Sequence, residues 1–127
     1  MDWLPILSEK MAVRLDRLHT QPNAESVRQT LAAWHLELLD PASPTILFCD
    51  WPEGGAPSVR IATARPASRP YGIVCHGADL ARVALGELNL ETITLGGLFR
   101  YRSPQEDSEL EQLRGRALRP LDWLFAA

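Results

Sequence analysis

The stretch Asp79-Leu80-Ala81-Arg82-Val83-Ala84-Leu85-Gly86-Glu87-Leu88-Asn89-Leu90-Glu91-Thr92-Ile93-Thr94-Leu95-Gly96-Gly97-Leu98 carries most of the information on the fold. Its first half is helical by spacing, with Leu80, Val83, Ala84 and Leu85 at i, i+3, i+4. Gly86 is placed to end that helix, because glycine enters the left-handed region at least steric cost. Asn89 can cap a second short helix, from Leu90, through its side-chain oxygen. Gly96-Gly97 then breaks the chain, and Leu98-Phe99-Arg100-Tyr101-Arg102 alternates as a last strand.

Upstream lie the strands. Tyr71–His76, Ser58–Thr63 (Val59 and Ile61 inward) and Thr45–Trp51 read as strands. Trp34, Leu36 and Leu38 alternate with His35, Glu37 and Leu39, a further strand, although one helix running from 24 to 39 competes with that reading. Asp40–Pro44 and Pro52–Pro57 are turn chemistry, and Arg65–Pro70 is a proline-containing crossover. Short strands between tight turns favour antiparallel pairing. Further out, Trp3, Leu4, Leu7, Met11, Leu15 and Leu18 share one face of an amphipathic helix over 3–18, with Pro5 tolerated in its first turn. Thr20–Asn23 interrupts it, and Asn23 is suited to cap a helix reaching about Leu31. Downstream, Ser103-Pro104-Gln105-Glu106 opens a helix with Leu110, Leu113 and Leu118 on its apolar side, and Asp122–Phe125 is a short apolar tail.

Composition narrows the function classes. With 127 residues, 46% hydrophobic and 23% charged, the expectation is a single domain over 1–127 with an ordinary core. A net charge of −3 lacks the basic excess of a nucleic-acid binder. The apolar runs are too short to span a bilayer, which leaves transient membrane contact open. The N-terminus has neither the basic nor the long apolar region of a secretory signal, so a cytoplasmic location in a bacterium-like cell is expected. Two cysteines, Cys49 and Cys75, lie in apolar strands and read as buried free thiols.

Asp79-Leu80, Gly86-x-Leu88-Asn89 and Gly97-Leu98 resemble the second half of a sterol carrier protein 2 domain. That family has an acidic helix start, a Gly–x–Leu–Asn run, a glycine-led strand and a terminal amphipathic helix. The earlier strands supply the rest, over roughly residues 20–118. The family often has proline after the asparagine, where this chain has Leu90, and a glycine-rich turn after the last strand, where it has Ser103–Glu106. The resemblance implies an α+β fold: a sheet of about five strands, mostly antiparallel, with helices covering one face. It also implies a tunnel between sheet and helices for acyl chains, sterols or isoprenoids. Bacterial members include accessory factors of ubiquinone biosynthesis. In such a fold Trp34, Phe48 and Phe99 would line the cavity, and Leu85, Leu88, Ile93 and Leu95 would roof it.

No constellation of catalytic or metal-binding residues stands out, and no cofactor is expected. Cys75 and His76 are adjacent, so on a strand they point to opposite faces and cannot share an ion. His35 reads as solvent-facing, His19 as a helix-end cation, and His76 as a surface or turn residue. Gly54-Gly55 and Gly96-Gly97 lack the strand–loop–helix setting of a nucleotide loop. Glu106-Asp107-Ser108-Glu109 suits the first turn of a helix. Arg100 and Arg102, beside Arg60 if their strands neighbour, form either a head-group cluster or an exposed polar face. The expected function is non-enzymatic binding of a hydrophobic small molecule. The competing reading is an accessory module of a larger complex, docking through Trp3, Leu4, Leu7, Trp123, Leu124 and Phe125, with a homodimer also open.

Overall fold

The computed structural model describes residues 2–39, 45–90, 100–102 and 119–125, with Arg100–Arg102 given by their backbone. Helices α1 (Trp3–His19) and α2 (Ala24–Leu31) precede strands β1 (Trp34–Leu39), β2 (Thr45–Asp50), β3 (Ser58–Ala62) and β4 (Tyr71–His76). Helix α3 (Gly77–Ala84) and the short β5 (Arg100–Arg102) follow. Residues 119–125 are helical, and the short apolar tail Asp122–Phe125 is part of that helical stretch. The α+β expectation holds. Four strands of five or six residues form an open sheet, extended at one edge by the three residues of β5, in the order β3-β2-β1-β4-β5.

The sheet is mixed. β1–β2, β2–β3 and β4–β5 pair antiparallel, whereas β1 and β4 run parallel, with Trp34 opposite Tyr71 and Leu39 opposite His76. The purely local argument from short turns fails at this pair. Residues 63–70 do not form a hairpin; they carry the chain from β3 past β2 and β1. Three strand spacings amount to about 14 Å, within the reach of eight extended residues at roughly 3.3 Å each.

One sheet face carries the core. Leu36, Leu38, Leu47, Cys49, Ile73 and Cys75 pack with Leu7, Met11 and Leu15 of α1, Val27 and Leu31 of α2, Leu80 of α3, and Leu121, Leu124 and Phe125. Their alternation along each strand is what aims them at the helices. The other face holds His35, Glu37, Ile46 and Val74, all buried. Burial of His35 corrects the solvent-facing reading: β1 is central, and the crossover lies over it. Ile61, expected inward, is 57% exposed, because β3 is an edge strand.

Local chemistry explains the helix ends. Gly86 has φ +79°, the Glu87 N–H donates to the Arg82 carbonyl at 2.8 Å, and the Gly86 N–H donates to Val83 at 3.0 Å. This is a Schellman motif, as the glycine predicts. Asn23 precedes α2 but makes no side-chain cap bond, contrary to expectation; its carbonyl accepts from Val27 N–H instead. Gly54 has φ +73° and Gly55 N–H donates to the Pro52 carbonyl at 3.0 Å, so this glycine pair makes a turn. At Gly77 the Trp3 indole covers the Cα, leaving no room for a side chain. Both chain ends are therefore packed inward: Leu7 and Phe125 are fully buried, Leu124 nearly so, and Trp3, Leu4 and Trp123 lie partly buried on the core. They are not the exposed docking patch of the competing reading.

Candidate ligand cavity and its polar edge

Sheet and helices do not close completely on one another. A cavity of about 20 Å³, partly open to solvent, lies between them. Trp34 and Leu36 of β1, Leu47 and Cys49 of β2, and Ile73 of β4 form its floor. Met11 of α1, Leu31 of α2, and Leu121, Leu124 and Phe125 form the opposite wall, and His35, Phe48 and Pro120 complete the lining. The space is roughly that of one water molecule.

The expected cavity residues are placed unevenly. Trp34 lines it and also packs on Tyr71, ring centroids 5.4 Å apart. Phe48 contributes to the lining, while its ring lies under the Arg69 guanidinium, 4.6 Å from the centroid. Leu85 is 52% exposed, and Leu88 packs half-buried on the core away from this cavity. The α3 helix stops one residue before Leu85, which turns that side chain out of the roof. Ile93, Leu95 and Phe99 lie outside the described residues, as do Gly96-Gly97, the turn 40–44, and the helix expected from Ser103 with its acidic first turn. Leu90 is helical, and the rest of the short helix expected from it lies outside the described residues. The wall residues Met11, Leu31, Leu121, Leu124 and Phe125 were not singled out as ligand contacts. The signal was present in the helical spacing of Leu7, Met11 and Leu15, and in the i, i+3, i+4 spacing of Leu121, Leu124 and Phe125.

Polar groups gather at the crossover. The Glu37 carboxylate, buried on β1, accepts from Arg65 Nε at 3.2 Å. The Arg69 carbonyl accepts from His35 Nδ1 at 2.9 Å, so that nitrogen carries the proton. Arg69 Nη1 donates to the Leu31 carbonyl at 2.9 Å, at the C-terminal end of α2 where a cation is favoured. Burial pushes the Arg69 guanidinium below its usual range. Arg60 instead pairs with Asp50 at 3.2 Å. It sits on β3, at the opposite edge of the sheet from β5, so it does not join Arg100 and Arg102 in one cluster.

Both cysteines are free and buried. Burial pushes Cys49 up to about 12, and Cys75 higher still. Thiolate chemistry at neutral pH is thereby suppressed. His76 is exposed at the start of α3, and His19 meets Trp51 edge-on, centroids 5.8 Å apart. Among the described residues no three His, Cys, Asp or Glu side chains are placed to share a metal ion. Also among them, no helix is long and apolar enough to cross a membrane.

No family model and no curated protein matches the sequence. Solved structures do match the fold. Sterol carrier protein 2 from Yarrowia lipolytica, in its apo form, superposes with a TM-score of 0.56 at 11% identity, over 97% of this chain and 89% of that one. A crystal structure of sterol carrier protein 2 gives 0.54 at 13% identity, over 95% and 94%. A ubiquinone synthesis protein described as UbiJ-SCP2 gives 0.53 at 12% identity, over 93% and 94%. The chain thus has the sterol carrier protein 2 fold, as the pattern from Asp79 to Leu98 implies.

Proposed function

We propose that the protein binds a hydrophobic small molecule between its sheet and its helices and catalyses no reaction on it. The observation that carries this reading is the apolar cavity in that layer, in a fold shared with sterol carriers. An acyl chain, a sterol-like ring system and an isoprenoid or quinone-type lipid all suit an apolar lining; the likeness to a ubiquinone synthesis protein supports the last. At about 20 Å³ the cavity holds no chain as it stands, so a ligand must part the wall formed by Leu121, Leu124 and Phe125 from the sheet. Native mass spectrometry of protein purified from cells, with saturable uptake of Nile red as the second readout, tests the proposal. Co-purified lipid or saturable uptake is the expected result; the absence of both overturns it.

A further inference from the structure

The helical residues 119–125 wall the cavity through Pro120, Leu121, Leu124 and Phe125. The last three are buried, so apolar contact presses this segment onto the core. Among the described residues, one hydrogen bond ties it to the rest of the protein: Arg14 Nη1, on α1, donates to the Trp123 carbonyl at 3.4 Å. The guanidinium meets the segment near its carbonyl end, where a cation is favoured. Arg14 follows Met11 by three positions, so the two share a face of α1, and Met11 itself lines the cavity. These two kinds of contact respond differently to a ligand. An entering hydrocarbon replaces the apolar contacts of Leu121, Leu124 and Phe125 with contacts of its own. It offers no acceptor to Arg14 and no donor to the Trp123 carbonyl. The hydrogen bond is therefore the part of the closure that a hydrocarbon cannot replace.

We propose that the bond from Arg14 to the Trp123 carbonyl is the latch of the cavity wall: it keeps residues 119–125 shut on the sheet and breaks when a ligand enters. This inference rests on the lipid-binding reading above and adds to it what controls access. A ligand enters only the fraction of molecules whose latch is undone. The latch therefore slows entry and lowers the apparent affinity by the same factor.

Hydrogen exchange read by mass spectrometry, together with stopped-flow uptake of Nile red, tests it in Arg14→Met, which keeps an apolar stem and removes the donors. Amides of residues 119–125 should exchange about fivefold faster than in the wild type, the net worth of one such bond. Amides of β1 and β4 should be unchanged. Nile red should enter faster by the same factor and leave at the wild-type rate, because the bond is already broken in the complex. Arg14→Lys should fall between the two, and it carries the comparison if Arg14→Met does not fold. Arg17→Met removes an exposed charge from the same helix and should match the wild type. Unchanged exchange of residues 119–125 without the Arg14 donors overturns the latch and leaves lipid binding standing. Faster exchange with an unchanged rate of dye entry, or with release accelerated as much as entry, overturns its control of access. No saturable uptake in any variant overturns the lipid-binding reading and the gating with it, while the exchange rates still decide whether this bond holds the wall.

Discussion

Cys49 and Cys75 are two strands apart, with β1 between them, so their backbones are separated by at least about 9.5 Å. A disulfide needs Cα atoms within about 7 Å, and these two stay reduced for geometric reasons alone. Burial sets their protonation. Cys49 is raised from its ordinary 9.0 to about 12. Below pH 9 the thiol is protonated in folded and unfolded chains alike, and its full contribution to stability is present. As pH rises from 9 towards 12 the unfolded chain gives up the proton first, and that contribution is lost. Urea unfolding should accordingly show a midpoint that falls between pH 8.5 and 11, with a shallower fall in Cys49→Ala. Iodoacetamide at pH 8 should label neither cysteine in the folded protein and both in urea, as read by mass spectrometry. Rapid labelling of Cys75 without denaturant would contradict the burial described here and reopen a nucleophilic role.

The contact between α1 and α3 turns on a missing side chain. A Cβ at Gly77 would fall inside the Trp3 indole. Gly77→Ala should cost about 1–3 kcal/mol through overpacking, and pairing it with Trp3→Ala should make the two changes less than additive, since the obstruction goes with the ring. Equal costs in the presence and absence of Trp3 would place the strain elsewhere. Elements of this kind were partly legible in the sequence. β4 was readable to the residue because the apolar stretch Ile73-Val74-Cys75 sits in a segment bounded by Pro70 and Gly77. Gly86 was readable because one backbone conformation ends that helix cheaply. What could not be read was non-local. The parallel pairing of β1 with β4 depends on where residues 63–70 travel, and nothing in those eight residues, two of them prolines, states their direction. The burial of His35 and Glu37 follows from that path, so two polar residues at alternating positions looked like a wet face. The cavity wall suffered likewise: Leu121, Leu124 and Phe125 have helical spacing, but three residues make too short a pattern to announce a helix. Sequence patterns report periodicity, and a void is a property of what fails to meet.

A molecule that must part its own layers to take a ligand couples stability to binding. Phe125 is fully buried and lines the cavity, whereas Leu80 is fully buried in the same core and does not. Truncating either to alanine removes apolar contact and leaves a void, at about 3–5 kcal/mol for phenylalanine and 2–5 for leucine. Against a total of roughly 5–15 kcal/mol both variants should melt well below the wild type. They should then separate on addition of an apolar ligand. Phe125→Ala enlarges a cavity already open to one side, so the ligand enters with less displacement of residues 119–125 and binds more tightly. At a hundred times its Kd it returns about 2.7 kcal/mol, a rise of roughly 8–15 °C for a chain of this size. Leu80→Ala opens its void away from that mouth and should gain no more than the wild type. Thermal melts with and without Nile red or dodecanoic acid measure this directly. A larger ligand-induced shift in Phe125→Ala than in Leu80→Ala identifies the sheet–helix layer as the binding space. Equal shifts would mean that residues 119–125 are ordinary close-packed core and that any ligand binds elsewhere.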